Sequence, residues 1–287
     1  MNTWARCWLT ATLVSALFVG CGGSAGSRPV LVGSLDTAEG EVLANLYAEL
    51  LEANGIDAEA RPRTGDRATT LQALGEGQVQ LVPEYSGDAL DALAGRAEAT
   101  PDPAETASAL RQLARVRGLS VFDPNRDADA SLAVVVTFET AEDTRIFTVS
   151  GLARLPGVSI GVLDGQRRLR GLDAERVVEL ADTEAALVAL HRGSITAVVV
   201  PATSAGLAGT GDVMLVDDAT GQPANSVIPI ANLPDDSQRR TIYRIFDQLA
   251  EELTTADLRE LNRRVEIEGE SPAAATRDLV EDKGLDG

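Results

Sequence analysis

The 287-residue chain carries 44 acidic against 25 basic residues, a net charge of −19, which repels phosphate backbones and excludes nucleic acid as a partner. A single histidine cannot build a histidine-rich metal site, and two cysteines cannot build a disulfide framework, so neither metal nor cofactor is expected. Stability must then come from an apolar core, and the chain is long enough for one large domain or two medium ones.

In chain order, the first element is a signal-like segment. Arg6 gives a short positive start, Trp8 to Val19 is uncharged and mostly apolar, and Gly20 precedes Cys21. About a dozen apolar residues are too few to span a bilayer and fit a secretory segment. Phe18-Val19-Gly20-Cys21 resembles a bacterial lipobox, with Phe18 in place of the usual leucine. The expectation is a signal peptide over 1–20, lipidation at Cys21, and a flexible Gly/Ser tether over 21–28. Cys7 leaves with the signal peptide, so the mature chain has no second cysteine to pair with Cys21.

From Pro29 the chain alternates short β-branched runs with helical periods, the α/β pattern. Val30 to Leu35 reads as a strand. Val42, Leu43, Leu46, Tyr47, Leu50 and Leu51 trace a helix stopped by Asn54-Gly55. An extended strand over Ile56 to Arg61, a helix near Thr69 to Glu76 and a strand over Val79 to Val82 follow. The spacing Leu71-x-x-Leu74-x-x-Gly77-x-Val79 returns as Leu187-x-x-Leu190-x-x-Gly193-x-Ile195, shifted by 116 residues. That echo predicts two related lobes, although one long doubly wound sheet also fits the pattern. Near the end, Ile242, Ile245, Phe246, Leu249 and Leu253 share one helix face, Thr255 can cap a helix over Ala256 to Asn262, and Ser271-Pro272 opens a last helix closed by Gly284.

The expected architecture is an α/β clamshell of two lobes. Residues 29–127 and 231–287 form the first lobe and 128–230 the second, with crossovers at Asn125 to Ala130 and Ile228 to Asn232. Ligands of open α/β sheets bind beyond the carboxyl ends of the strands, which puts the site between the lobes. Ser34, Asp36 and Thr37 lie beyond the first strand and are candidate ligand-binding residues. Nothing assembles a catalytic centre. A Ser-His-Asp triad would have to recruit His191, which reads as a solvated surface residue, and Gly161-x-x-x-Gly165 lacks the Lys-Ser/Thr of a phosphate loop. A pair of carboxylates working as in a glycosidase is the enzyme alternative, an exported hydrolase.

At Gln80 to Leu90 the chain reads Gln-Leu-Val-Pro-Glu-Tyr-Ser-Gly-Asp-Ala-Leu. A strand running into Pro-Glu-Tyr-Ser-Gly resembles the glycine betaine/choline family of ABC-transporter substrate-binding proteins. Val32-Gly33-Ser34 with Glu39 and the helix to Gly55 is similar to the family's opening, and Leu253 to Asn262 with Val265 to Gly269 is similar to its end. The resemblance implies a type II periplasmic-binding-protein fold with two crossover hinges, no enzymatic activity, and a monomer outside the cell. It further implies an ABC permease as partner and a quaternary ammonium or other osmoprotectant as solute, held by aromatic faces through cation–π attraction. On the matched loop it makes Tyr85 the first ligand contact, beside Ser86, Gly87 and Asp88. Facing them from the second lobe and the crossovers are Asp129, Ser131, Thr203, Ser204 and Asn225. The other aromatic positions of the family are empty, for Asp129-Ala130-Ser131, Pro201-Ala202 and Gln222 to Asn225 supply none. Asp88 and Asp129 are the acids placed to replace them for a cation. An uncharged hydroxyl-rich or aromatic compound in the same cleft is the alternative ligand, and a tethered scaffold with a degenerate cleft the remaining reading.

Overall fold

The structure, a computed structural model, describes residues 28–287 apart from 165–168, 170, 173 and 235–236. The signal segment and Cys21 therefore lie outside the described residues. The first part of the chain runs β1 (Val30–Leu35), α1 (Ala38–Ala53), β2 (Ala58–Gly65), α2 (Arg67–Gly75), β3 (Leu81–Tyr85), α3 (Ser86–Ala94), α4 (Pro103–Val116) and β4 (Ser120–Val121). The middle runs β5 (Leu132–Val136), α5 (Phe138–Thr144), α6 (Val149–Leu152), β6 (Ser159–Leu163), β7 (Arg176–Leu180), α7 (Thr183–His191), β8 (Ala197–Pro201), a 3-10 turn (Ala205–Leu207) and β9 (Val213–Met214). The chain then returns through β10 (Val227–Ala231), α8 (Ser237–Glu252), α9 (Thr255–Asn262), a π-helical turn (Arg263–Ile267) and α10 (Pro272–Asp282). Among the described residues no helix is long and apolar enough to cross a membrane.

Two five-stranded sheets result, in the orders β2-β1-β3-β10-β4 and β7-β6-β8-β5-β9. They are built to one plan. In each, three strands pair in parallel and a fourth, delivered from the other lobe, joins antiparallel: β10 beside β3, β5 beside β8. The leucine-glycine echo falls at the same place in both. Gly77 and Gly193 turn with φ of +73° and +68° after α2 and α7, leading into the central strands β3 and β8. A left-handed turn there is open to glycine at little cost, which is why the spacing repeats.

The return crossing comes earlier than the sequence places it. Val227–Ala231 is a central strand of the first sheet, flanked by β3 and β4 on either side, so the chain has already crossed by Ser226 and not at Ile228 to Asn232. The second-lobe stretch accordingly ends ahead of Val227 instead of at residue 230. Pro229 argues against a central strand, but it stands opposite Pro83, where neither strand calls on an N–H of the other. The outward crossing between β4 and β5 runs antiparallel to the return, meeting it at the Asp129–Ser226 bridge.

Apolar periodicity explains the packing. The α1 stripe and the α8 stripe of Ile242, Ile245, Phe246, Leu249 and Leu253 are buried together. Tyr47 meets Phe246 edge-on at 4.6 Å between ring centroids, and Phe122 stacks on Tyr243 at 3.8 Å. Four of the chain's aromatic rings are thereby consumed in the first-lobe core. The last helix packs on α1, where Arg277 pairs with Glu49 and the Asn54 amide donates to the Leu285 carbonyl.

Candidate functional site

The ends of β1 and β3, the start of α1 and the end of α9 converge with the end of β8. Thr37 caps α1, its hydroxyl accepting from Gly40 N at 3.0 Å, and this sets Glu39 in the first turn. Tyr85 ends β3. Its phenol donates a short hydrogen bond to the Glu39 carboxylate, and burial followed by the Glu39 charge pushes the phenol's pKa well up, so it stays a neutral donor. Asn262, at the last turn of α9, donates to Glu39 Oε2 at 2.6 Å and to the Thr203 carbonyl at 2.9 Å. Since Thr203 follows β8, this amide reaches from one lobe to the other. The 3-10 turn after Thr203 packs against α9 and the π-helical turn.

Several predicted residues stand in this region with their polar atoms committed to the fold. Ser34 is buried, its hydroxyl donating to Leu35 O and accepting from Arg63 N, both at 3.0 Å, across the irregular end of the β1–β2 ladder. Asp36 pairs with Arg63 at 2.9 Å. Ser86 Oγ accepts from Ser226 N at 3.1 Å. Asn225 Oδ1 accepts from Gly87 N and Asp88 N, both at 3.1 Å, and so caps α3, whose own N-cap residue Tyr85 provides no side-chain bond. Gly87 is required by that approach, because a Cβ there would lie 2.5 Å from Ala224 O.

The two acids expected to serve a cation are both engaged. Asp88 Oδ2 accepts from Arg67 Nη2 at 3.1 Å and from Asn225 Nδ2 at 3.3 Å. Arg67 also binds Glu84 Oε2 at 3.0 Å. Glu84 is fully buried, and that burial pushes its carboxyl upward while Arg67 opposes the shift. Asp129 spends one oxygen on Ser131 N (2.6 Å) and the other on Asn225 N (3.1 Å), clasping the two crossovers to each other. Ser131 Oγ reaches Pro223 O at 3.5 Å in the same clasp. Thr255 does not cap α9. Thr254 does, in a capping box with Asp257, while the Thr255 hydroxyl donates to Asp127 O at 2.7 Å and anchors the outward crossing. Ser204 opens the 3-10 turn without a side-chain cap bond. His191, read as a solvated surface residue, bonds Asp212 at 2.8 Å and is otherwise exposed.

Glu39, Arg67 and Asn262 stand here without being among the site residues expected from sequence, although Glu39 and Asn262 lie in segments that carry the resemblance. Asn262 carried a signal. It lies four residues after Leu258 on the apolar face of α9 and is 2% exposed, a polar side chain where the pattern calls for an apolar one.

The sequence profile described as the substrate-binding domain of an ABC-type glycine betaine transport system matches residues 28–282. The chain belongs to that family. It is thus a substrate-binding domain that takes up a small solute for delivery to an ABC permease, and such domains work outside the cytoplasm. Among curated proteins, the glycine betaine-binding protein YehZ of Escherichia coli is 20% identical over 286 residues, covering 90% of this chain and 92% of YehZ. The solved structure of YehZ without ligand superposes with a TM-score of 0.77 at 18% identity, covering 90% of this chain and all of that one. A glycine betaine/carnitine/choline ABC transporter structure gives a TM-score of 0.80 at 19% identity over 90% of this chain and 100% of its own. At these identities the superpositions show the fold, a two-lobed type II binding-protein architecture.

Proposed function

We propose that this family member captures a small polar or cationic solute of the osmoprotectant class between its lobes, with quaternary ammonium compounds the first candidates. Relatives of this family carry glycine betaine and choline in their names. The observation that supports the cleft as the site is the Asn262 amide, which joins Glu39 beside Tyr85 on one lobe to Thr203 on the other. Tyr85 alone supplies one π face, roughly 0.5–2 kcal/mol, whereas micromolar binding takes about 8 kcal/mol. The remainder must come from charge and hydrogen bonds. Binding without turnover, a monomeric protein, and tethering through acylated Cys21 complete the reading.

A thermal-shift screen against betaine, choline, carnitine, simple amines, sugars and polyols tests it, because a ligand bound only by the folded state raises the melting temperature. At least one compound should raise it dose-dependently without being consumed. Chemical conversion of a compound in the screen would replace the binding reading with an enzymatic one. For the tether, Cys21→Ser should move the protein from the membrane to the soluble fraction, and an unchanged distribution would remove the anchor.

A further inference from the structure

The carboxylates near the ends of β1 and β3 fall into two groups. Asp36 and Glu41 are taken by Arg63, at 2.9 and 3.2 Å, and Glu84 and Asp88 by Arg67, at 3.0 and 3.1 Å. Glu39 and Glu266 are unlike these: among the described residues, neither has an ion-pair partner, whereas their neighbours each have one. Among the described residues the donors to Glu39 are both neutral, the Tyr85 phenol and the Asn262 amide. Glu266 follows Asn262 by four residues, about one π-helical turn, and so stands on the same side. Partial burial and then the Glu39 charge push its carboxyl above the ordinary value.

Asn262 completes the group. Its NH2 faces two acceptors, the Glu39 carboxylate and the Thr203 carbonyl, which fixes the amide's orientation. The other arm, Oδ1, is buried with no donor. At this point between the lobes the chain therefore presents anions and an unmatched acceptor. What would complement them is a positive charge carrying an N–H.

We propose that Glu39, Glu266 and the Asn262 amide oxygen form a cation subsite, and that the solute it takes is a small protonated amine with at least one N–H in place of a fully methylated ammonium. This rests on the proposed reading that solute binds between the lobes. A quaternary nitrogen has no hydrogen to donate and depends on aromatic faces. Here the rings of Tyr47, Phe122, Tyr243 and Phe246 pack on one another in the first-lobe core. Phe138 follows the far end of β5, and Phe147 lies beside the outer edge of the second sheet, where its carbonyl accepts from Val216 N. Among the described residues Tyr85 is left without a second aromatic wall. An ammonium N–H satisfies Asn262 Oδ1 and forms a charge-assisted bond with Glu39. A neutral polyol could satisfy the amide but would leave two like charges uncompensated. A zwitterion would bring a third carboxylate toward them.

Calorimetric titration of the whole protein with ethanolamine, N,N-dimethylethanolamine, choline and glycine betaine tests this, since the first three share a skeleton and lose N–H groups stepwise. Ethanolamine and its dimethyl derivative should each bind at least tenfold tighter than choline, and betaine more weakly again. Glu39→Gln should weaken ethanolamine at least tenfold, and Glu266→Gln, on the exposed turn where misfolding is not a concern, about threefold. Choline or betaine binding as tightly as ethanolamine would overturn the inference while leaving the solute-binding reading intact. So would a polyol binding where the amines do not, or unaltered ethanolamine affinity in both variants. Silence from all four compounds and from the wider screen would overturn both.

Discussion

At the level of single residues, the Arg67–Glu84 pair shows why a charged loop can sit inside an α/β lobe. Glu84 is fully buried, and its Oε2 is held by Arg67 and by Tyr85 N at 3.2 Å. Removing one partner of a buried pair leaves an uncompensated charge, at a cost of about 3–5 kcal/mol. Arg67→Met should therefore lower unfolding stability by about that amount in urea titrations, and the double variant Arg67→Met/Glu84→Gln should recover much of it. Equal loss in the single and double variants would mean that Arg67 acts by packing instead of charge. The same pair explains what sequence reading could and could not deliver here. Pro-Glu-Tyr-Ser-Gly draws attention to this loop, but the engagement of Asp88 by Arg67 is not visible in it, because that arginine lies 21 residues away in another helix. Asn225, a ligand-binding candidate from sequence, caps α3 through its Oδ1. Its partners in α3 lie 138 and 137 residues away, beyond the reach of any local pattern.

Secondary-structure elements were the most legible level, because period and punctuation are local. The buried faces of α1 and α8 fall on the residues their spacing predicts, and the twin turns at Gly77 and Gly193 mark equivalent strands of equivalent sheets. Strand limits were less legible. β3 runs through Tyr85, past the predicted end at Val82, since Pro83 and Glu84 look unlike strand residues until β10 stands opposite them. The placement of β10 itself failed for a related reason: an apolar run shows burial but not which sheet buries it. How α3 docks on the return crossing yields a test. Gly87→Ala introduces a Cβ 2.5 Å from the Ala224 carbonyl, so either the crossing or the helix must shift. Overpacking of this kind costs about 1–3 kcal/mol. Asn225→Ala removes the cap without adding bulk and should cost about 1 kcal/mol. Thermal unfolding of both variants should rank Gly87→Ala as the more damaging, and the reverse order would assign the cap more weight than the close approach.

For the whole molecule, two crossings form the hinge and Asn262 provides a contact away from it. The crossings lie side by side at the Asp129–Ser226 bridge, are clasped by the Asp129 carboxylate, and are tied to α9 through Thr255. Beyond them, the Asn262 amide bonds the Thr203 carbonyl across the lobes, and a π-helical turn, a form common at functional sites, follows at once. A bond made only when the lobes meet biases the equilibrium toward that state by its net worth, about 1 kcal/mol for an ordinary amide bond, or roughly fivefold in population. Where the competent state is only fractionally populated, apparent affinity falls in proportion to that fraction. Asn262→Ala should therefore give a more extended particle in small-angle scattering without solute and weaken every solute by a common factor of roughly five, if the amide serves purely as a latch. If Oδ1 also receives an N–H from the solute, the loss must depend on the ligand. Ethanolamine should then lose severalfold more affinity than choline, because both compounds have a hydroxyl but only ethanolamine has an ammonium N–H to give that oxygen. Titrating both compounds into wild type and Asn262→Ala separates the two roles. A uniform loss confines Asn262 to closure, an unequal one adds recognition, and no loss with an unchanged scattering profile would deny it both.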